Sequence, residues 1–176
     1  MMKNITADLK RKQQIFVEDG ASVSMLRIVM SDGTSANILY RCMRWCANYK
    51  LIPLAYAFQL INKWLNGCVI GIGANFSHGF VIMHPVGIVI NSKVVGGHNI
   101  TLESGVVIGD EKGCSPILSN NIFIGAGAKI IGLLSIEDDV RVGANAVVTK
   151  SANKGATMLG IPAKSYKKTS ENKEGK

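Results

Sequence analysis

Between Leu118 and Val148 an aliphatic residue returns at every sixth position: Leu118, Ile124, Ile130, Ile136, Val142 and Val148. An α-helix repeats every 3.6 residues and a strand alternates every two, so neither accounts for a period of six. The place four residues after each of these is also apolar, at Ile122, Ala128, Leu134, Val140 and Ala146. Two inward positions per hexad are what one flat side of a triangular parallel β-helix requires, with three sides and about 18 residues to a coil.

Two earlier blocks follow the same rule. Ile70, Phe76, Ile82 and Ile88 form one, and after a slip of two residues Ile90, Gly96, Leu102 and Ile108 form the other. Their plus-four positions, Ala74, Phe80, Val86, Val94, Ile100 and Val106, are apolar as well. About twelve hexads predict a mainly β fold, a triangular prism of about four coils. A coil buries its ladder only against a neighbouring coil, so both ends need covers. Residues 1–66 read as helical: "SANILYRCMRWCANY" puts Ile38, Cys42, Trp45 and Cys46 on one stripe, and "PLAYAFQLINKWL" begins with a proline suited to a first turn. Asn66 and Gly67 break that pattern. The expected organisation is therefore a helical region over 1–66, a β-helix over 67–163 and a basic tail over 164–176. Arg41 and Arg44 fall on the polar side of their helix, where a solvated face is expected.

Composition narrows the partners. A formal net charge of +8 favours an anionic one, such as a nucleotide-bearing cofactor, but much of the surplus sits in Lys10, Arg11, Lys12 and the tail. No aromatic residues interleave with a basic stripe, which argues against nucleic acid. Cys42, Cys46, Cys68 and Cys114 show no CxxC pairing or Cys/His cluster, so no metal site is expected and the thiols read as reduced and cytoplasmic. The N-terminus lacks an apolar signal core, and "LIPLAYAFQLI" is far shorter than the ~20 residues that span a bilayer. Residues 51–65 offer a helix for peripheral membrane contact, with packing against the coil end as the favoured use.

Function concentrates where a regular scaffold is interrupted. One interruption is the slip in "IMHPVGIVIN", which carries His84; the other is the inserted loop "GDEKGCSP", residues 109–116. A neutral imidazole can take a proton from an attacking alcohol, although a lone histidine in a turn is by default a surface residue. His78 and His98 occupy outward hexad positions and read as surface residues. Ala126 and Ala144 stand 18 residues apart, one coil, so they stack at one corner and leave a groove along the prism axis. Packing alone explains two alanines equally well.

The repeat, together with "IGAGAKIIG", "LESGVVIG", "VGANAVVTK" and "GIPAK", resembles the serine acetyltransferase branch of the hexapeptide-repeat acyltransferases, including the small colanic-acid-type polysaccharide O-acetyltransferases. The resemblance covers nearly the whole chain. It implies a left-handed coil and transfer of an acetyl group from acetyl-CoA to a hydroxyl, with His84 matching the family's base. It implies that acetyl-CoA runs past Ala126 and Ala144, with Gly109 and Asp110 matching the loop start that flanks the acyl end. Arg141 and Lys164 are candidates for the CoA phosphates, and relatives imply a homotrimer with interfacial sites.

Three places depart from the serine enzymes. The second histidine of the inserted loop is Ser115 here, the orienting aspartate just before the first repeat is Val69, and the acidic residue preceding the base is Met83. These losses favour a saccharide hydroxyl in surface-polysaccharide or glycan assembly as acceptor. Serine O-acetyltransferase is the runner-up, and a non-catalytic scaffold or an acyl-enzyme on Cys114 are further alternatives. Glu103, Glu111 or a backbone carbonyl is left to orient His84.

Overall fold

A computed structural model describes residues 1–167. Four helices, α1 (Met2–Glu18), α2 (Met25–Val29), α3 (Thr34–Asn48) and α4 (Ile52–Asn66), precede fifteen short strands. Gly67 ends α4 in the left-handed conformation, φ 61°, which only glycine adopts without steric cost.

The strands form three walls. The first stacks β1 (Val69–Ile70), β4 (Val89–Ile90), β7 (Val107–Gly109), β10 (Lys129–Ile131) and β13 (Val147–Val148). The second stacks β2 (Asn75–Phe76), β5 (Val95–Gly96), β8 (Ile117–Leu118) and β11 (Ser135–Ile136). The third runs β3 (Val81–Ile82), β6 (Thr101–Leu102), β9 (Phe123–Ile124), β12 (Arg141–Val142) and β14 (Ala156–Leu159), closed by antiparallel β15 (Lys164–Lys167). All other pairings are parallel, and the chain visits the walls in rotation. This is the predicted β-helix of about four turns.

The two predicted inward positions account for the core. Ile70, Phe76, Ile82, Ile90, Leu102, Ile108, Ile124, Ile130, Ile136, Val142 and Val148 are all buried, as are Ala74, Phe80, Ile100, Val106, Ala128, Val140 and Ala146 between them. Burying a large aliphatic or aromatic side chain contributes roughly 1.5–3 kcal/mol, and each coil obtains that only from its neighbours. Phe76 opposite Gly96 shows the volume matching: a Cβ on Gly96 would collide with the Phe76 ring. Val86 is the exception, 68% exposed. The register explains it: Val69 pairs with Val89 but Val89 with Val107, so the first coil is two residues longer than the second. The extra pair lifts Val86 out, and Ile88 fills the inward place. The third coil, Val107 to Lys129, is longer still because it contains the inserted loop.

The open upper edge of a parallel β-helix presents unpaired backbone groups, which cannot be buried without partners. Side chains of the helices supply them. Tyr40 donates to Ala74 O at 3.2 Å and accepts from Phe76 N at 2.9 Å; Asn37 donates to Phe80 O and accepts from Ile82 N; Gln59 donates to Ile70 O. Arg41 donates to Phe76 O and Ser77 O while a fork of 2.7 and 2.9 Å holds it to Asp8. Arg44 donates to Ile72 O at 3.0 Å. The expected solvated face for these arginines is thus wrong: Arg41 is buried, because the edge carbonyls of the first coil need donors. At the other end, the start of the predicted tail folds back as β15 against β14, whereas residues 168–176 of that tail lie outside the described residues. No helix among the described residues is long and apolar enough to cross a membrane.

Candidate active site

His84 occupies the corner where the third wall turns into the first. Below it the corner repeats in register: Gly105 N–H donates to Val86 O, Gly127 N–H to Ser104 O and Asn145 N–H to Ala126 O, at 2.8–2.9 Å. Val86, Ser104, Ala126 and Ala144 therefore form one column. Met83 N–H still bonds Leu102 O in the regular pattern, so His84 and Pro85 are the two surplus residues. The bulge pushes the imidazole off the wall, leaving its side chain 58% exposed at the head of the column.

The ring does not stand alone. Its Nδ1 lies 2.9 Å from Oδ2 of Asp32, in the turn between α2 and α3. A carboxylate only accepts, so Nδ1 is the donor in this pair, and in the neutral ring Nε2 is then the nitrogen that keeps a lone pair. The turn is pressed hard against β3. Gly33, at φ 76°, packs so closely that a Cβ there would meet the carbonyl oxygens of Ile82 and Met83. Gly33 N–H donates to the other Asp32 oxygen at 3.0 Å. Beneath, buried Lys12 donates to Asp32 O, to Ile82 O at 3.0 Å and to Thr34 Oγ1 at 3.2 Å. Burial lowers the Lys12 ammonium to about 8, opposed by the nearby charges of Asp32 and Glu103. Sequence reading missed Asp32 because 52 residues separate it from His84; the only local signal was the Asp32-Gly33 pair before α3. Neither Glu103 nor Glu111 makes a hydrogen bond to His84 among those of the described residues.

The other candidates separate into groups. Ala126 is half-buried and Ala144 exposed, so below Val86 the column presents a row of small side chains on an open corner. Gly109 and Asp110 lie at the end of β7, where Asn91 donates to Asp110 at 2.9 Å; that is a different corner, across the first wall from the alanines. Cys114, exposed, and Ser115, buried, belong to the same inserted loop. Arg141 does not face the column. Its guanidinium stacks 4.6 Å over the Phe123 ring and lines a cleft. Lys164 is exposed, at the start of β15. His78 and His98 stack in parallel, with centroids 5.3 Å apart, at another corner.

The cleft runs between α1 and the third wall, about 460 Å³ in volume. It begins at Met83, next to His84, and carries both signs of charge: Arg11 and Arg141 against Glu18, Asp19, Glu103 and Asp139. Asn99, Asn121 and Asp139 line its floor as a corner ladder, linked at 3.0 and 3.1 Å. No cluster of three metal-ligating side chains occurs among the described residues. The site thus combines an imidazole paired with a carboxylate, a column of small side chains and a polar cleft that carries both signs of charge.

Comparison with known proteins converges on one family. A serine acetyltransferase from Helicobacter pylori is 32% identical over 161 residues, which span 89% of this chain and 94% of that protein. One from Synechococcus elongatus is 30% identical over 169 residues, 93% of this chain and 68% of its own length. Among solved structures, the Neisseria gonorrhoeae serine acetyltransferase in complex with serine superimposes with a TM-score of 0.84 at 29% identity, over 93% of this chain and 68% of that one. A serine acetyltransferase in complex with CoA gives 0.86 at 25% identity, over 93% and 69%. No family model matches the sequence. The shared fold includes the left hand of the coil. These relatives overturn the expected saccharide acceptor and polysaccharide role, along with the colanic-acid-type character. That expectation rested on the histidine lost at Ser115 and the carboxylates lost at Val69 and Met83; a carboxylate does stand beside His84, but it arrives from the helical region.

Proposed function

Because the chain belongs to the serine acetyltransferase family, we propose that it transfers an acetyl group from acetyl-CoA to the hydroxyl of L-serine. The observation that carries the reading is His84, exposed and paired through Nδ1 with Asp32, at the head of the Ala126–Ala144 column. The serine hydroxyl gives its proton to Nε2 as its oxygen attacks the thioester carbonyl. Collapse breaks the C–S bond, and the imidazolium returns the proton to the departing thiolate. Base catalysis of this kind contributes roughly 10²–10⁴-fold.

Small side chains at Ala126 and Ala144 leave room for an extended pantetheine arm beside the exposed corner backbone. The cleft next to Met83 suits an amino acid rather than a sugar, since a zwitterion needs an anion and a cation at short range and the cleft offers both. Arg141 then serves the acceptor side more readily than the CoA phosphates; Lys164 stays a candidate for the latter. Gly109 and Asp110 reach an acyl chain at the alanine corner only if a neighbouring prism brings them there. A homotrimer does this and encloses a site that is open in one chain. Acetyl-CoA and reduced thiols both fit a cytosolic setting.

The test is thiol release from acetyl-CoA across amino acids and sugars. L-serine is expected to be turned over at least tenfold better than any sugar. His84→Ala should lower kcat by about 10²-fold or more, and Ala144→Leu should raise KM for acetyl-CoA while melting unchanged. Thiol release insensitive to His84→Ala would leave the chain a non-catalytic scaffold, and preferential use of a sugar would reverse the acceptor.

A further inference from the structure

We infer that Asp32 is the positioning residue of the His84 base, so that the acid orienting the imidazole is delivered by the helical region and not by the β-helix. The inference rests on the acetyl-transfer reading of His84 and adds to it the origin of the base's orientation. On the solenoid, the two places where the resemblance puts an acid are Val69 and Met83, neither of which can accept a ring N–H, and Glu103 and Glu111 make no hydrogen bond to His84 among those of the described residues. Asp32 does, at 2.9 Å, from a segment that packs against β3 from outside the coil.

Three features hold the carboxylate there. Gly33 has the backbone conformation and the missing Cβ that let the turn lie against Ile82 and Met83, the two residues preceding His84. Its N–H fixes one carboxylate oxygen, leaving the other for the ring. Lys12 ties the Asp32 carbonyl and the Ile82 carbonyl to one ammonium, so the turn and the strand that carries the base share a buried anchor. A surface loop meeting a histidine by chance would need none of this. Both partners are more than half exposed; water screens such a pair, and its contribution is orientation and tautomer choice, with little to add to fold stability.

The experiment compares wild type with Asp32→Asn, Asp32→Ala and Gly33→Ala by steady-state thiol release and by ¹⁵N spectra of the ring nitrogens, with His84 assigned by substituting His78 and His98 in turn. Wild type is expected to show the Nδ1–H tautomer at His84. Asp32→Ala should lose that tautomer and lower kcat about 10²-fold, with KM for acetyl-CoA changed less than about threefold. Asp32→Asn, which keeps the shape of the turn, should fall between. Gly33→Ala should reproduce the Asp32→Ala spectrum, because a Cβ there moves the carboxylate. Unchanged kcat and an unchanged ring spectrum in Asp32→Ala would overturn the assignment, as would a loss confined to KM with the tautomer intact. The spectra also read the pair without turnover. A wild type that shows Nδ1–H yet acetylates no serine supports the pairing and removes the serine reading instead.

Discussion

At the scale of single residues, the site depends on a charge the fold would rather not bury. Lys12 lies under the Asp32 turn, with its ammonium lowered from 10.5 to about 8 chiefly by desolvation. Between those values the unfolded chain binds more protons than the folded one, so unfolding free energy rises with pH across that window. The slope reaches at most ~1.4 kcal/mol per pH unit for one group. Wild type should therefore gain stability relative to Lys12→Met as pH goes from about 8 to 10.5, measured by urea unfolding at each pH. A flat difference between the two proteins would mean that the three acceptors around Nζ hold the charged form at its ordinary value. In the sequence Lys12 is one of three consecutive basic residues, after Lys10 and Arg11. Nothing local distinguishes the three; only the helix's orientation on β3 buries one of them.

At the scale of elements, α3 is the lid of the prism, and its polar residues act as the missing next coil. Asn37, Tyr40, Arg41 and Arg44 satisfy edge groups that further strands would otherwise pair. Arg41 matters most, because removing it would leave the buried Asp8 carboxylate without its partner, a change costing about 3–5 kcal/mol. Arg41→Met should lower Tm by roughly 8 °C or more, read by calorimetry, whereas a shift below about 2 °C would show that the lid contributes little. The helical region was legible as helix from its apolar stripe and its Gly67 stop. Its attachment was not: of the stripe Ile38, Cys42, Trp45 and Cys46 only Cys46 is buried, the core-facing side of α3 being Ala36, Tyr40, Met43 and Cys46, and the edge of the coil is met by polar side chains. The walls were legible almost residue by residue: each inward place is set by its hexad, and the one apolar plus-four position that fails, Val86, fails at the slip already visible in the repeat.

At the scale of the whole molecule, one prism leaves His84 and Asp32 open to water at 58% and 61% exposure, while Val89, Val95 and Ile117 stand exposed on the walls. A trimer would cover such faces and dry the site. Sedimentation at micromolar concentration is expected to give the mass of three chains, and specific activity should fall on dilution in step with the trimer fraction; full activity in a sedimenting monomer would count against it. What the sequence by itself determined is the β-helix, its coil number, the stacking of Ala126 and Ala144 in one column and the place of the bulge, because a six-residue period is local chemistry repeated. Tertiary structure alone decided the partner of His84 and the burial of Lys12 and Arg41. Those contacts join segments 33–70 residues apart, and no period links residues that meet only once, when the helices close over the first coil.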